Sequence, residues 1–129
     1  MNEFIVWDKD IKIWIDESYP IFINGSGFLC IQRNDKQMVL ENDCEVFKPI
    51  GITDINNKKI YADCSIVEFD YIKSDNSIKK LWGYFSYNKK RLCYQFIISA
   101  RERYDYTSID IRNPKIIGTL QQNPELIKG

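Results

Sequence analysis

The tightest constraint on this chain lies in residues 51–69, Gly-Ile-Thr-Asp-Ile-Asn-Asn-Lys-Lys-Ile-Tyr-Ala-Asp-Cys-Ser-Ile-Val-Glu-Phe, where a turn feeds directly into an alternating strand. Asp54, Asn56 and Asn57 can hydrogen-bond their own backbone, and these residue types tolerate the left-handed conformation that tight turns demand. The residues that follow send Val67, Phe69 and Tyr71 to one face and Ile66, Glu68 and Asp70 to the other. A strand with two unlike faces cannot slip by one residue without exchanging its buried and solvated sides. The rest of the chain must pack around it.

Short apolar runs repeat the pattern elsewhere. Residues 4–7 and 11–15 flank Asp8-Lys9-Asp10 and read as an opening hairpin, with Ile11, Ile13 and Ile15 alternating with Lys12 and Trp14. Pro20 closes an acidic link, after which residues 21–23 and 28–31 flank Asn24-Gly25-Ser26-Gly27, a strong hairpin signal. Residues 38–40 and 46–47 read as weaker strands around Glu41-Asn42-Asp43, which could instead open one helical turn. Beyond the polar loop 73–77, residues 81–87 and 92–98 read as two strands joined through Asn88-Lys89-Lys90-Arg91. Their inward sets are Leu81, Gly83, Phe85 and Tyr87 on one strand and Leu92, Tyr94, Phe96 and Ile98 on the other. Residues 101–106 read as a charged, aromatic connection, and 109–111 and 115–120 as strands. Asn123-Pro124-Glu125 spells an N-cap, a proline at the first helical position and an acid in the first turn, so a short C-terminal helix is expected. About eight to ten short strands with little helix define a mainly β fold, a barrel or a sandwich.

A length of 129 residues fits a single domain, 1–129, that buries about two-thirds of its unfolded surface. The chain has no histidine, which removes the commonest general base, the Ser-His and Cys-His nucleophile pairs and most zinc or iron sites. Cys30, Cys44, Cys64 and Cys93 are far apart with no Cys-x-x-Cys pair, so no metal or other cofactor is expected and the thiols read as reduced. The acidic opening Met1-Asn2-Glu3 leads into a short strand-like run, which argues against a secretory signal. No stretch approaches the roughly eighteen apolar residues that a membrane helix requires. A soluble, cytoplasmic protein with no membrane partner is the expectation.

The order of residues in the central stretch resembles the YopX family of phage and prophage proteins. Gly51, Ile52, Asp54, Asn56, Lys58, Ile60, Tyr61, Ile66 and Val67 carry the match. Residues 4–9, Phe-Ile-Val-Trp-Asp-Lys, resemble the family's opening, and residues 117–127 its closing run. Between Asp16 and Val46 nothing matches. The resemblance implies a small pseudobarrel of short antiparallel strands and brings with it no established activity and no catalytic residues. Asn57 stands where the family has glycine, a substitution the turn tolerates. Four residues separate Tyr61 from Ile66 where the family has three, and a β-bulge near Asp63 or Cys64 would absorb the extra one.

Charge is balanced overall but not along the chain. Residues 1–72 hold seven Lys or Arg against thirteen Asp or Glu, whereas residues 73–103 hold eight against two. Within the basic segment Lys80, Trp82, Tyr84, Lys89, Lys90 and Arg91 form the candidate partner-binding set: cations beside aromatics on one hairpin. Such a surface suits a protein partner, whether a second copy of the chain or a host or phage protein, because the opposite charges of the two segments can pair between copies. It also suits single-stranded nucleic acid, by stacking bases on the aromatics beside a cationic groove. Other motifs carry less. Asp8 and Asp10 could face one way as an acid pair but read better as a solvated turn. Cys93 lies near Arg91 and Lys89, a setting that can activate a thiol, yet unpaired cysteines mostly serve as small apolar fillers. The isolated glycines build no phosphate-binding loop. The chain thus reads as an interaction module without catalysis.

Overall fold

The computed structural model describes residues 4–15, 21–33, 36–39 and 44–127. The helical turn considered at 41–43 lies outside these residues. The described chain is mainly β, with thirteen antiparallel strands and two 3-10 turns, and it falls into two compact units, 1–48 and 49–129.

In the first unit β1 (Ile5–Asp8) lies between β2 (Ile13–Ile15) and β6 (Cys44–Phe47), while β4 (Leu29–Arg33) lies between β3 (Ile21–Ile23) and β5 (Lys36–Val39). Both expected hairpins form. Val6, Ile15, Ile31 and Cys44 make its core, with Phe4 packed against them. Trp7 pairs with Trp14 across β1 and β2, their rings edge to face at 4.8 Å.

The second unit carries the larger sheet. A two-stranded hairpin of β7 (Pro49–Thr53) and β8 (Lys59–Tyr61) precedes β9 (Ser65–Ile72), β10 (Ile78–Asn88), β11 (Cys93–Ile97), β12 (Arg103–Asp105) and β13 (Arg112–Thr119). The last five form one sheet in the order β12-β11-β10-β9-β13. Among the described residues none of the sheets closes on itself; this one ends at β12 on one side and β13 on the other. Its inner face bears Val67, Phe69, Phe85 and Phe96, and Ile60 of β8 joins the same core. Phe96 meets Phe69 at 5.2 Å and Phe85 at 5.0 Å, both edge to face, an arrangement favoured by the ring quadrupoles. Gly83 has to be glycine, because a Cβ there would sit 2.2 Å from the Ile97 carbonyl oxygen.

The extra residue after Tyr61 is absorbed differently from expectation. Residues 62–64 form a turn between β8 and β9 with Asp63 at φ 55°, not a bulge within a strand, and Val67 and Phe69 still reach the core fully buried. Among the described residues, register shifts fall instead in β13, opposite β9, between Arg112 and Lys115 and between Ile116 and Gly118, and in β7, opposite β8, between Pro49 and Thr53. Pro114, which has no N–H to give, sits in the first of these. A further correction concerns residues 109–111, which are not a strand: Ile109 and Ile111 pack on the core after a 3-10 turn, Tyr106–Ser108, while β12 occupies part of the segment read as a connection. The expected short C-terminal helix forms as a single 3-10 turn over Pro124–Leu126, with Glu125 in its first turn; the Asn123 carboxamide accepts the Thr119 N–H at 3.2 Å and does not cap it.

Turn chemistry fixes the hairpins. Asn24 and Asp54 each accept the N–H groups two and four residues on, with Gly27 (φ 84°) and Asn57 (φ 62°) in the left-handed region. Asp54 does more, since its second oxygen accepts the Ile116 N–H at 3.0 Å and so ties the β7–β8 turn to β13. The Ile55 N–H adds a bond to the Pro114 carbonyl at 2.8 Å. Asp54 is only 6 % exposed. Burial by itself opposes its ionisation, but the N–H groups of Ile116, Lys58 and Asn56 outweigh it and hold the carboxyl below its ordinary value. Its contribution is therefore full above the usual carboxylate range and is lost as pH falls through the lowered value. Asp54→Ala, which leaves these donors unpaired, is expected to cost about 3 kcal/mol in urea unfolding, and Asp54→Asn about half of that.

Candidate functional site

The strand β10 carries Lys80, Trp82 and Tyr84 on one face because side chains alternate along it. Pairing with β9 sets Lys80 opposite Asp70, Trp82 opposite Glu68 and Tyr84 opposite Ile66; pairing with β11 sets Tyr84 opposite Ile97. The ladder aligns Phe85 with Phe96 and Tyr87 with Tyr94, which is the register the two alternations define. Leu92 does not follow its assigned role. The β10–β11 connection takes in residues 89–92, so Leu92 stands in the turn at φ 54° and is 77 % exposed. Tyr87, also expected inside, is 47 % exposed and packs edge to face on Tyr94.

The structure does not bring the six candidate residues into one site. Lys80 Nζ bonds Asp70 Oδ1 at 2.8 Å and lies 3.8 Å from Glu68 Oε1. The Asp70 bond raises the lysine pKa, and the same bond, with help from Asn113, lowers that of Asp70. The Trp82 indole N–H donates to the Leu126 carbonyl at 2.7 Å, so the C-terminal turn covers its polar edge. Tyr84 is half-buried. Arg91 grips Asp105 through Nε, at 2.9 and 3.1 Å, and through its terminal nitrogen. Gln95 adds a bond to Asp105 at 3.0 Å and itself accepts from Asn88. Of the four cations in the candidate set, Lys89 and Lys90 have no carboxylate within 4.0 Å among the described residues. Sequence reasoning missed Asp70, Glu68 and Asp105, because they sit on neighbouring strands and only the pairing register reveals them as counter-charges.

The remaining candidates are structural. Asp8 is buried and its Oδ1 accepts the N–H groups of Asp10 and Ile11, which makes the pair a turn cap. Cys30, Cys44 and Cys64 are buried and Cys93 half-buried, none of them in a disulfide. Among the described residues no three Cys, Asp or Glu side chains converge as metal ligands, and no helix is long and apolar enough to cross a membrane.

Comparison with known proteins fits this picture. The YopX protein family model matches residues 3–128. The chain belongs to the YopX family. A crystal structure of protein YopX from Bacillus subtilis is similar over 98% of this chain and 95% of its own, with a TM-score of 0.55 and 20% identity, a likeness of fold alone. No curated protein matches. Two of the YopX-like stretches meet in the second unit: Leu120 N–H donates to the Cys64 carbonyl at 2.9 Å, the Gln121 amide to the Asp63 carbonyl at 3.2 Å, and Thr119 pairs with Ser65. These bonds join the turn 62–64 to residues 119–121.

Two outcomes follow for the hairpin. Arg91 and then Gln95 hold the Asp105 carboxyl down to about 2, below its ordinary 3.8. That stabilisation is complete above the ordinary value and vanishes as pH falls through about 2. Carboxyl NMR titration is expected to find Asp105 near 2 in the native chain and clearly higher in Arg91→Gln, where the Gln95 bond still holds it below its ordinary value. Leu92→Gly, by relieving a left-handed leucine, is expected to raise the unfolding free energy from urea titration by up to about 1 kcal/mol despite the added freedom of the unfolded chain.

Proposed function

We propose that the chain is a phage- or prophage-type interaction protein, acting in the host cytoplasm without catalytic chemistry, that binds a protein partner or a second copy of itself through the tip of the β10–β11 hairpin. The observation that carries this reading is Leu92: a leucine held in strained backbone, 77 % exposed, next to the unpaired Lys89 and Lys90. Backbone strain persists where something outside local folding requires it, and an apolar side chain ringed by cations is what a buried contact on an acidic partner needs. The acidic balance of residues 1–72 supplies such a surface on another copy. The resemblance to phage and prophage proteins supports the biological setting.

The alternative, nucleic-acid binding, loses support from the same geometry. Lys80 and Arg91 are paired with carboxylates and the Trp82 N–H is committed to Leu126, so two of the four cations in the candidate set remain to engage phosphates. Light scattering over a wide concentration range, paired with a native pull-down, tests the proposal on the wild type and on a Lys89→Glu, Lys90→Glu, Leu92→Asn variant. The expected result is association that the variant loses while its melting temperature holds. Monomer at every concentration with an empty pull-down, or association indifferent to the variant, contradicts it. Saturable binding of single-stranded nucleic acid at about 50 mM salt, abolished by the lysine changes, would favour the alternative.

A further inference from the structure

The inner face of the five-stranded sheet opens at one end into a cleft of about 410 Å³ that neither the fold nor the hairpin tip uses. Tyr71 and Tyr104 stand on β9 and β12, with two strands between them in the sheet order, yet both line this cleft. The rings are 42 % and 39 % exposed. Leu81 and Ile109, both packed on the core, supply apolar lining. Lys79 lies directly across the ladder from Tyr71, and Lys73 follows two residues after it. The two lysines line the cleft with no carboxylate within 4.0 Å among the described residues. Two acids also line the cleft and are engaged: Glu102 accepts the Tyr104 hydroxyl at 2.9 Å, and Asp110 accepts Arg112 Nε at 2.7 Å.

Each part has a counterpart in one kind of ligand. Exposed tyrosine faces over an apolar floor accept a planar ring, and two uncompensated ammonium groups at one side accept an anion. The volume lies in the range of pockets that hold small ligands. We propose that this cleft binds a nucleoside monophosphate group, its base against Tyr71 and Tyr104 and its phosphate on Lys73 and Lys79, supplied either as a free nucleotide or as the phosphorylated end of a strand. The site shares no residue with the hairpin tip and does not rest on the protein-partner reading.

The test uses the full ¹⁵N-labelled chain with AMP, adenosine, inorganic phosphate and a short 5′-phosphorylated oligodeoxynucleotide as separate titrants. AMP is expected to shift the amides of Lys73, Lys79, Leu81 and Tyr104 saturably, and more tightly than adenosine or phosphate alone. Lys73→Glu with Lys79→Glu, changes at exposed positions that leave the fold intact, is expected to weaken AMP at least tenfold while leaving adenosine unchanged. Tyr104→Leu is expected to weaken both about tenfold, the loss of one stacking face. Tighter binding of AMP than of the oligonucleotide assigns a free nucleotide, and the reverse assigns a strand end. No saturable shift, shifts confined to residues 87–92, or AMP affinity indifferent to the lysine changes overturns the proposal.

Discussion

One buried carboxylate holds the second unit together. Asp54 satisfies two amides of its own turn and one on β13, so a hairpin of eight strand residues becomes part of a larger body instead of a frayed appendage. A two-stranded ribbon alone is marginal in water. The clamp matters because β13 is an edge: its bulges and Pro114 leave backbone groups that β9 cannot pair, and the 54–55 turn supplies partners for them. With that edge secured, Ile60 swings onto Phe69, Phe85 and Phe96 and closes one side of the core.

The same economy of partners shapes the surface. Cross-strand carboxylates neutralise Lys80 and Arg91, and the chain end covers Trp82, so the outer face of β10 is largely self-satisfied. Among the cations without a carboxylate partner, Lys89 and Lys90 stand at the hairpin tip and Lys73 and Lys79 at the cleft beside Tyr71.

Much of the architecture was legible in the residues. Asp54 and Asn57 announced a turn because their side chains can replace backbone partners, and the phenylalanines at 85 and 96 set the β10–β11 register because only one alignment buries both. Leu92 departs from its alternation because alternation does not reveal how many residues the turn consumes. Ile109 and Ile111 read as a strand because an apolar pair spaced by two looks the same whether it fills a core from a strand or from an irregular segment. Asn123 has the composition of a helix cap, yet its amide turns back to Thr119, a choice set by the position of β13. The candidate site was legible in residue types only. Which cations are free depends on Asp70 and Asp105, which lie ten and fourteen positions away from Lys80 and Arg91 and meet them only through strand pairing.

Native-state hydrogen exchange at the Ile116 amide tests the central role of Asp54 most directly. If the carboxylate holds this edge, the Ile116 amide at neutral pH exchanges about as slowly as the amide of Phe69 in the middle of the sheet. Exchange at the rate of an open strand edge, with Phe69 still protected, would mean that the clamp does not hold in solution and that the hairpin is kept in place by packing alone.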